Sequence, residues 1–197
     1  MKYWVLKTGS LQNGVYLSAV PPNGPDGFEY WDGISLIKKF PASSEAQMGF
    51  SDDYPDAIKL YDFVTNIDDL FIVSKKVKEI IEGLSVDNME YLQLTLFDHQ
   101  MKVAATDYYI LNLVGSIDCI DMDETVCVME RLLKGRISDI DNLVLDESKI
   151  PPDAKMFRLA NKPEEYIVSD AVRKVFEENG ITNFKLLEAQ GWDGLKI

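Results

Sequence analysis

The chain has 197 residues, of which 46% are hydrophobic, and its 33 acidic and 20 basic residues give a formal net charge of −13. A chain of this length buries enough surface to form a stable domain, and its apolar content excludes disorder over most of its length. The negative charge repels phosphate backbones and anionic lipids, so direct binding to nucleic acid or to a membrane is not expected. A basic protein partner fits this charge, although acidity also serves solubility alone.

Nothing near the N-terminus predicts export. The residues after Met1 lack the apolar run and the small-residue cleavage site of a signal peptide, and no stretch has the apolar length that spans a bilayer. Cys119 and Cys127 are the only cysteines, which is too few for a disulfide framework, so both are expected to be free buried thiols. The expected location is therefore the cytoplasm.

Residues 1–60 are interpreted as an N-terminal lobe of strands and loops. Strands are predicted over residues 2–7 and 14–20, and the polar, proline-containing segment 41–57 is predicted to be a long surface excursion. A soft domain boundary is placed near residue 60, and residues 61–197 are predicted to form an α+β domain. The two parts can also form one compact unit.

Two similar units stand out in the second part of the chain. Ile72-Val73-Ser74 recurs as Ile167-Val168-Ser169, and each copy is followed by apolar residues at helical spacing. Ser74 and Ser169 are predicted to cap these helices, because a serine hydroxyl can accept a hydrogen bond from a first-turn backbone N–H. The residues expected to face inward are Val77, Ile80, Ile81, Val172, Val175 and Phe176.

Further strands are predicted from short apolar runs. They cover residues 91–97, 108–114, 125–129, 156–159 and 184–187, with a weaker candidate at 142–145. Asn112 falls inside the second of these strands, where a buried amide needs hydrogen-bond partners and can tie the strand to a loop. These patterns predict the α+β class, with a mainly antiparallel sheet and a few packed helices that include the two similar units.

The common catalytic and cofactor motifs are missing from the sequence. His99 is the only histidine, and Cys119 and Cys127 lie eight residues apart with no ligand pair beside them, so a zinc site is not expected. A Cys-His nucleophile pair would have no supporting motif. The sequence also lacks the serine nucleophile elbow, the phosphate-binding loop and the dinucleotide fingerprint. No catalytic, cofactor-binding or metal-binding residue is therefore predicted.

Acidic residues cluster after the apolar strand. Asp118, Asp121, Asp123 and Glu124, called the acidic ridge here, lie in a stretch from Val103 to Glu130 that has no lysine or arginine. A calcium or magnesium site would need oxygen ligands at defined spacing, and the glycine and glutamate of an EF-hand loop are absent. A pair of these carboxylates could instead serve a hydrolase. The favoured interpretation is a solvated surface that receives basic side chains of a partner.

Several of these runs, in this order, resemble one bacterial family. They are Ile72-Val73-Ser74 with its helix, Tyr108 to Asn112, Ile117 to Asp121, Phe157-Arg158-Leu159, and Ile167-Val168-Ser169 with its helix and Gly180. The family is immunity family eleven of polymorphic toxin systems, first catalogued as a domain of unknown function. The resemblance covers roughly residues 65–190 and does not include the first 60 residues.

The resemblance implies a protein that binds and neutralises a cognate toxin and is not an enzyme. It supplies no catalytic residues, and it does not identify the toxin. A basic toxin would fit the negative charge of the chain. The alternatives are an uncharacterised hydrolase that uses acidic residues around Asp118 to Glu124, and a scaffold subunit.

Overall fold

The structure is a computed structural model that describes residues 2–86 and 88–195. Within these residues the chain forms twelve strands and two α-helices. The strands are β1 (Tyr3–Thr8), β2 (Tyr16–Leu17), β3 (Gln47–Gly49), β4 (Phe63–Asn66), β5 (Ile72–Ser74), β6 (Met89–Phe97), β7 (Val103–Leu113), β8 (Val126–Met129), β9 (Ile137–Asn142), β10 (Met156–Leu159), β11 (Lys162–Ser169) and β12 (Phe184–Glu188). The helices are α1 (Lys75–Gly83) and α2 (Asp170–Glu178).

The strands form three sheets. A four-stranded antiparallel sheet has the order β10-β11-β1-β12, and a six-stranded sheet has the order β2-β4-β5-β7-β6-β3. The β2–β4 and β3–β6 pairs at the edges of the larger sheet are parallel, and its inner pairs are antiparallel. Strands β8 and β9 form a separate antiparallel pair.

The central core lies between the two larger sheets and contains the apolar faces of both helices. Val77 and Ile81 of α1 and Val172 and Phe176 of α2 are fully buried there, as their helical spacing predicts. Ile80 and Val175 are only half-buried. A second core is a cluster of buried apolar side chains that includes residues of the larger sheet. A third core packs the β8–β9 pair against the smaller sheet.

Arg158 of β10 connects the two sheets from inside the core. Its side chain is 1% exposed and donates hydrogen bonds only to neutral oxygens. The acceptors are the carbonyl oxygens of Tyr30, Trp31, Leu113 and Pro163, the Asn112 amide and the Tyr166 hydroxyl. Burial lowers the pKa of Arg158, but its ordinary pKa is so high that the guanidinium remains charged. The fold thus holds a buried cation by hydrogen bonds.

Asn112 also has the partners that a buried amide requires. Its side chain donates to the carbonyl oxygen of Ile34 at 2.9 Å and to a Glu90 carboxylate oxygen at 2.8 Å. Its side-chain oxygen accepts from Arg158 at 3.2 Å. The prediction that Asn112 ties its strand to a loop is confirmed.

The predicted fold class is wrong. The chain is mainly β, with 37% of residues in strands and two helices of nine residues each in the described part, so it is not an α+β fold with several packed helices. The strand content was underestimated because β3 and β4 have only three and four residues, too few for a periodic pattern.

The capping hydrogen bonds predicted for the two serines are absent. Ser74 and Ser169 occupy the N-cap positions with extended backbones, but neither side chain accepts a bond from the first helical turn. The Ser74 hydroxyl instead donates to the Asp62 carboxylate at 2.8 Å. At α2, the backbone N–H of Asp170 donates to the carbonyl oxygen of Lys2, so another part of the chain satisfies that first-turn donor.

The segment 41–57 is only partly the surface excursion that its polarity predicted. It contains β3, and Ala46, Met48 and Phe50 are buried in the core beside the larger sheet. The weak strand candidate at 142–145 is also misplaced, because the strand in this region is β9. The domain boundary near residue 60 stays a prediction, although β1 pairs with β11 and β12 of the later part.

Candidate functional site

The acidic ridge lies in a turn that leads into β8. Asp118, Asp123 and Glu124 are exposed, while the intervening Cys119 and Ile120 are buried in the third core. Asp121 is half-buried, and one of its carboxylate oxygens accepts backbone N–H bonds from Asp123 at 3.1 Å and Glu124 at 3.3 Å. Asp121 therefore shapes the turn, while the other three carboxylates face solvent.

Cations do not neutralise the ridge within the described part of the chain. None of its four carboxylates forms an ion pair with a described lysine, arginine or histidine. Over the same residues, no group of three or more His, Cys, Asp or Glu side chains is arranged to hold a metal ion. The ridge thus offers exposed negative charge without a preformed metal cage.

A second acidic surface, which the sequence did not reveal, is a cleft of about 770 Å³. Seven carboxylates and two lysines line it, so its charge is strongly negative. We call it the acidic cleft. Its lining residues come from β1, β4 and the loop after it, β9, β11, Trp31 and the C-terminal segment, and the charged ones are Lys7, Asp68, Asp69, Asp139, Asp141, Lys162, Glu164, Glu165 and Asp193.

Both lysines of the acidic cleft already have acidic partners. Lys7 is 2.5 Å from a carboxylate oxygen of Glu165, and both side chains are largely buried. Lys162 is 2.8 Å from Glu164 and also donates to the carbonyl oxygens of Ile137 and Ser138. Neither lysine forms an ion pair with Asp68, Asp139, Asp141 or Asp193.

Four aspartates of the cleft form no ion pair with any described residue. They are Asp68, Asp139, Asp141 and Asp193. Asp139, Asp141 and Asp193 are exposed, and Asp68 is half-buried. Asp193 accepts a hydrogen bond from the backbone N–H of Leu195 at 3.1 Å. The cleft can therefore attract a cation that comes from outside the molecule.

Apolar side chains complete the lining. Phe71 and Ile140 line the cleft and are buried, whereas Ile67 and Leu195 are 63% and 60% exposed. Trp31 also lines the cleft, and its indole N–H donates to the carbonyl oxygen of Asp68 at 3.2 Å, which fixes the ring. The cleft thus combines an apolar surface with carboxylates.

The C-terminal segment packs closely against β9 on one side of the cleft. Gly194 has a φ of +76°, and a Cβ at this position would lie 2.4 Å from the carbonyl oxygen of Ile140. Only glycine permits this conformation and this approach without strain. The Trp192-Asp193-Gly194 turn therefore brings the Asp193 carboxylate to the cleft wall.

The thiols and the histidine lie in different parts of the fold. Cys119 is fully buried in the third core, and burial, followed by the nearby Asp118 charge, raises the pKa of its thiol to about 12. His99 lies in a turn after β6, with its ring 5.5 Å from that of Phe50 in the second core. Both cysteines are free, but Cys127 is only half-buried, so the expectation of two buried thiols is wrong for Cys127.

Comparison with known families gives one match. A model of the Imm11 immunity protein family matches residues 2–191, which extends the expected range of roughly 65–190 to the N-terminal strands. A search of curated proteins gave no match to the chain. Separately, none of the helices in the described residues has the length and apolar character needed to cross a membrane.

Proposed function

The chain belongs to the Imm11 immunity protein family, and from this premise we propose that it binds a cognate toxin and neutralises it by direct contact, without catalysis. The observation that carries the proposal is the family match over residues 2–191. The toxin is a basic protein of a polymorphic toxin system, and the complex forms in the cytoplasm. The net charge of −13 supports this, because it would speed the capture of a basic partner.

The arrangement of the acidic ridge favours binding over hydrolysis. Asp118 and Asp123 are exposed, and Asp121 accepts two backbone hydrogen bonds in its turn. General acid–base chemistry is most effective where water is excluded and the reacting group is enclosed. Exposed carboxylates suit contact with basic side chains, so we place the ridge in or near the toxin-binding surface.

A capture experiment tests this function. The tagged chain is used to isolate partners from its source cells, and each captured protein is then expressed in a heterologous host with and without the chain. We expect one captured protein to stop growth when expressed alone and to be harmless when the chain is co-expressed. A stable complex with a secretion component that is not toxic would support the scaffold alternative instead. Captured proteins that are all harmless when expressed alone would overturn the immunity proposal.

A further inference from the structure

Building on the proposed function, we propose that the acidic cleft, rather than the acidic ridge, is the main docking site for the toxin. Its occupant is an extended toxin segment that places a lysine or arginine side chain among the cleft aspartates. A neighbouring apolar residue of the same segment covers the exposed Ile67 and Leu195. This assigns a chemical character to the partner and a location to the contact.

The charges inside the cleft favour binding of a basic side chain. Both lysines of the cleft form ion pairs with its glutamates, Lys7 with Glu165 and Lys162 with Glu164. Four aspartates of the cleft have no ion-pair partner among the described residues: Asp68, Asp139, Asp141 and Asp193. Like charges in one cleft repel each other, and an entering cation relieves that repulsion. The Coulomb attraction is larger there than at an open surface, because the low-dielectric walls of a cleft focus the field.

The shape of the cleft allows it to enclose a side chain of the partner. Its volume of about 770 Å³ lies within the roughly 300–1,000 Å³ that is typical of ligand sites. The acidic ridge, by contrast, is an exposed turn in which one carboxylate is already used by the backbone. The cleft can therefore surround a side chain, whereas the ridge can contact it from one side only.

The apolar lining determines which kind of cation fits. Trp31 presents an indole ring whose orientation is fixed by its bond to the Asp68 carbonyl oxygen. An aromatic face attracts lysine and especially arginine cations. Ile67 and Leu195 remain exposed in the free protein, and covering them would add hydrophobic stabilisation. A peptide segment with basic and apolar residues satisfies both surfaces, whereas a metal ion satisfies only the carboxylates.

Strand β9 presents two of the aspartates through an irregular backbone. The register of β9 against β8 shifts at two places, and β9 has one extra residue at each, Ser138 and Asp141. Such bulges redirect side chains at binding sites. Asp139 and Asp141 are both exposed and make no hydrogen bond within the described residues that the fold would lose on substitution. They are therefore suitable positions for a test.

The test uses a defined peptide with alternating arginine and leucine residues, capped at both ends, and the same peptide with citrulline in place of arginine. Binding is followed by two-dimensional amide NMR of the full-length protein at low and physiological salt. The cleft variant carries Asp139→Asn and Asp141→Asn, and a matched control variant carries Asp56→Asn and Asp107→Asn, at two exposed positions outside both the acidic cleft and the acidic ridge. Both variants lose the same number of negative charges, so they separate position from net charge.

We expect the arginine peptide to shift amide signals of residues 66–69 and 138–141, and the citrulline peptide to bind much more weakly. The cleft variant should weaken binding by about fivefold or more, and the control variant by less than about twofold. Equal losses in both variants, or no shifts at the cleft with peptide at about 1 mM, would overturn the docking proposal.

The toxin identified by the capture experiment separates this proposal from the immunity function itself. Loss of protection in the cleft variant, with protection kept in the control variant, would support the docking site. Full protection by the cleft variant would reject the site while leaving the immunity function intact. Failure of the unmodified protein to protect would reject the proposed function, and the peptide measurements would still decide whether the cleft binds basic segments.

Discussion

Arg158 shows how much one side chain can organise in this protein. It is buried, it carries a charge, and it donates to oxygens from β7, β11 and the loop around Tyr30. The Tyr166 hydroxyl extends the connection, because it donates to the carbonyl oxygen of Leu111 and accepts from the N–H of Leu113. The junction between the two sheets therefore depends on polar contacts inside an apolar core.

Replacing Arg158 with methionine tests this dependence. The substitution keeps an apolar stem but leaves buried carbonyl oxygens of Leu113, Tyr30 and Pro163 without their donor. We expect the free energy of unfolding to fall by about 3–5 kcal/mol, since each unsatisfied buried polar group costs about 1–3 kcal/mol. Urea unfolding measures the change. Arg131→Met, at an exposed position, is the control and should change it by less than about 0.5 kcal/mol.

The two cysteines should differ in reactivity. Burial and the neighbouring Asp118 raise the pKa of Cys119 to about 12, so its thiol stays protonated at ordinary pH, while Cys127 is half-buried and accessible. Because the thiolate is the reactive form, a disulfide reagent at pH about 8 should modify Cys127 rapidly and Cys119 only after unfolding. Thiol counting in native and urea-unfolded protein measures this, and Cys127→Ser provides the assignment. Equally fast reaction of both native thiols would contradict it.

At the scale of elements, the two helices have similar sequences but different supports at their starts. The hydroxyl of Ser74 donates to Asp62, whose other carboxylate oxygen accepts from the backbone and hydroxyl of Thr182. The hydroxyl of Ser169 is buried and has no hydrogen-bond partner among the described residues. The sequence echo therefore predicts the position of each helix without predicting the role of its serine.

This difference predicts different outcomes for the same substitution at the two serines. Ser74→Ala removes a hydrogen bond to a carboxylate and should reduce the free energy of unfolding by about 1–2 kcal/mol. Ser169→Ala removes a buried hydroxyl without a partner in the described structure, so it should be neutral or slightly stabilising. Chemical denaturation of the two variants measures both effects. A loss at Ser169 as large as that at Ser74 would show that the Ser169 hydroxyl has a partner in solution.

The elements that the sequence predicted are those with continuous apolar patterns. Met156–Leu159 is found as predicted, and the apolar stripes correctly indicate the buried faces of α1 and α2. Strand β9 was misplaced because its sequence ISDIDN is rich in residues that are typical of turns. Strands β3 and β4 are too short for a period to be seen. Such strands form because neighbouring strands pair with them, and a local pattern cannot show that.

The candidate sites follow the same logic. The acidic ridge was visible because its four residues are close in sequence. The acidic cleft joins residues as distant as Asp68, Asp139 and Asp193, and only the fold brings them together. The signal available in the sequence was the Asp-rich pattern of β9, which alternates acidic and apolar residues over residues 139–141.

At the scale of the whole molecule, charge should govern the rate of toxin capture. The acidic ridge adds exposed carboxylates to a chain of net charge −13. We expect Asp118→Asn with Asp123→Asn to slow association with the captured toxin by about twofold to fivefold and to weaken its salt dependence, with little change in dissociation. Stopped-flow kinetics at several salt concentrations measures these rates. Lys75→Gln, which removes an exposed positive charge, should have the opposite effect on the association rate.

The strand order also predicts how the chain responds to truncation. Because β1 lies between β11 and β12, a fragment of residues 61–197 would lack the centre of the four-stranded sheet. We expect that fragment to be unfolded, with poorly dispersed amide signals, whereas residues 2–195 should keep the native spectrum. A well-dispersed NMR spectrum of the fragment would show that the part after residue 60 is an independent domain.

The central position of β1 has a consequence for synthesis. Its hydrogen-bonding neighbours are β11 and β12, so β1 leaves the ribosome long before the strands with which it pairs. At about 5–20 residues per second, those partners appear roughly 10–40 s later. The four-stranded sheet therefore forms only after β12 has been translated, and the apolar face of β1 needs shielding until then. A newly made molecule would gain its ability to bind a toxin only once β12 has joined β1.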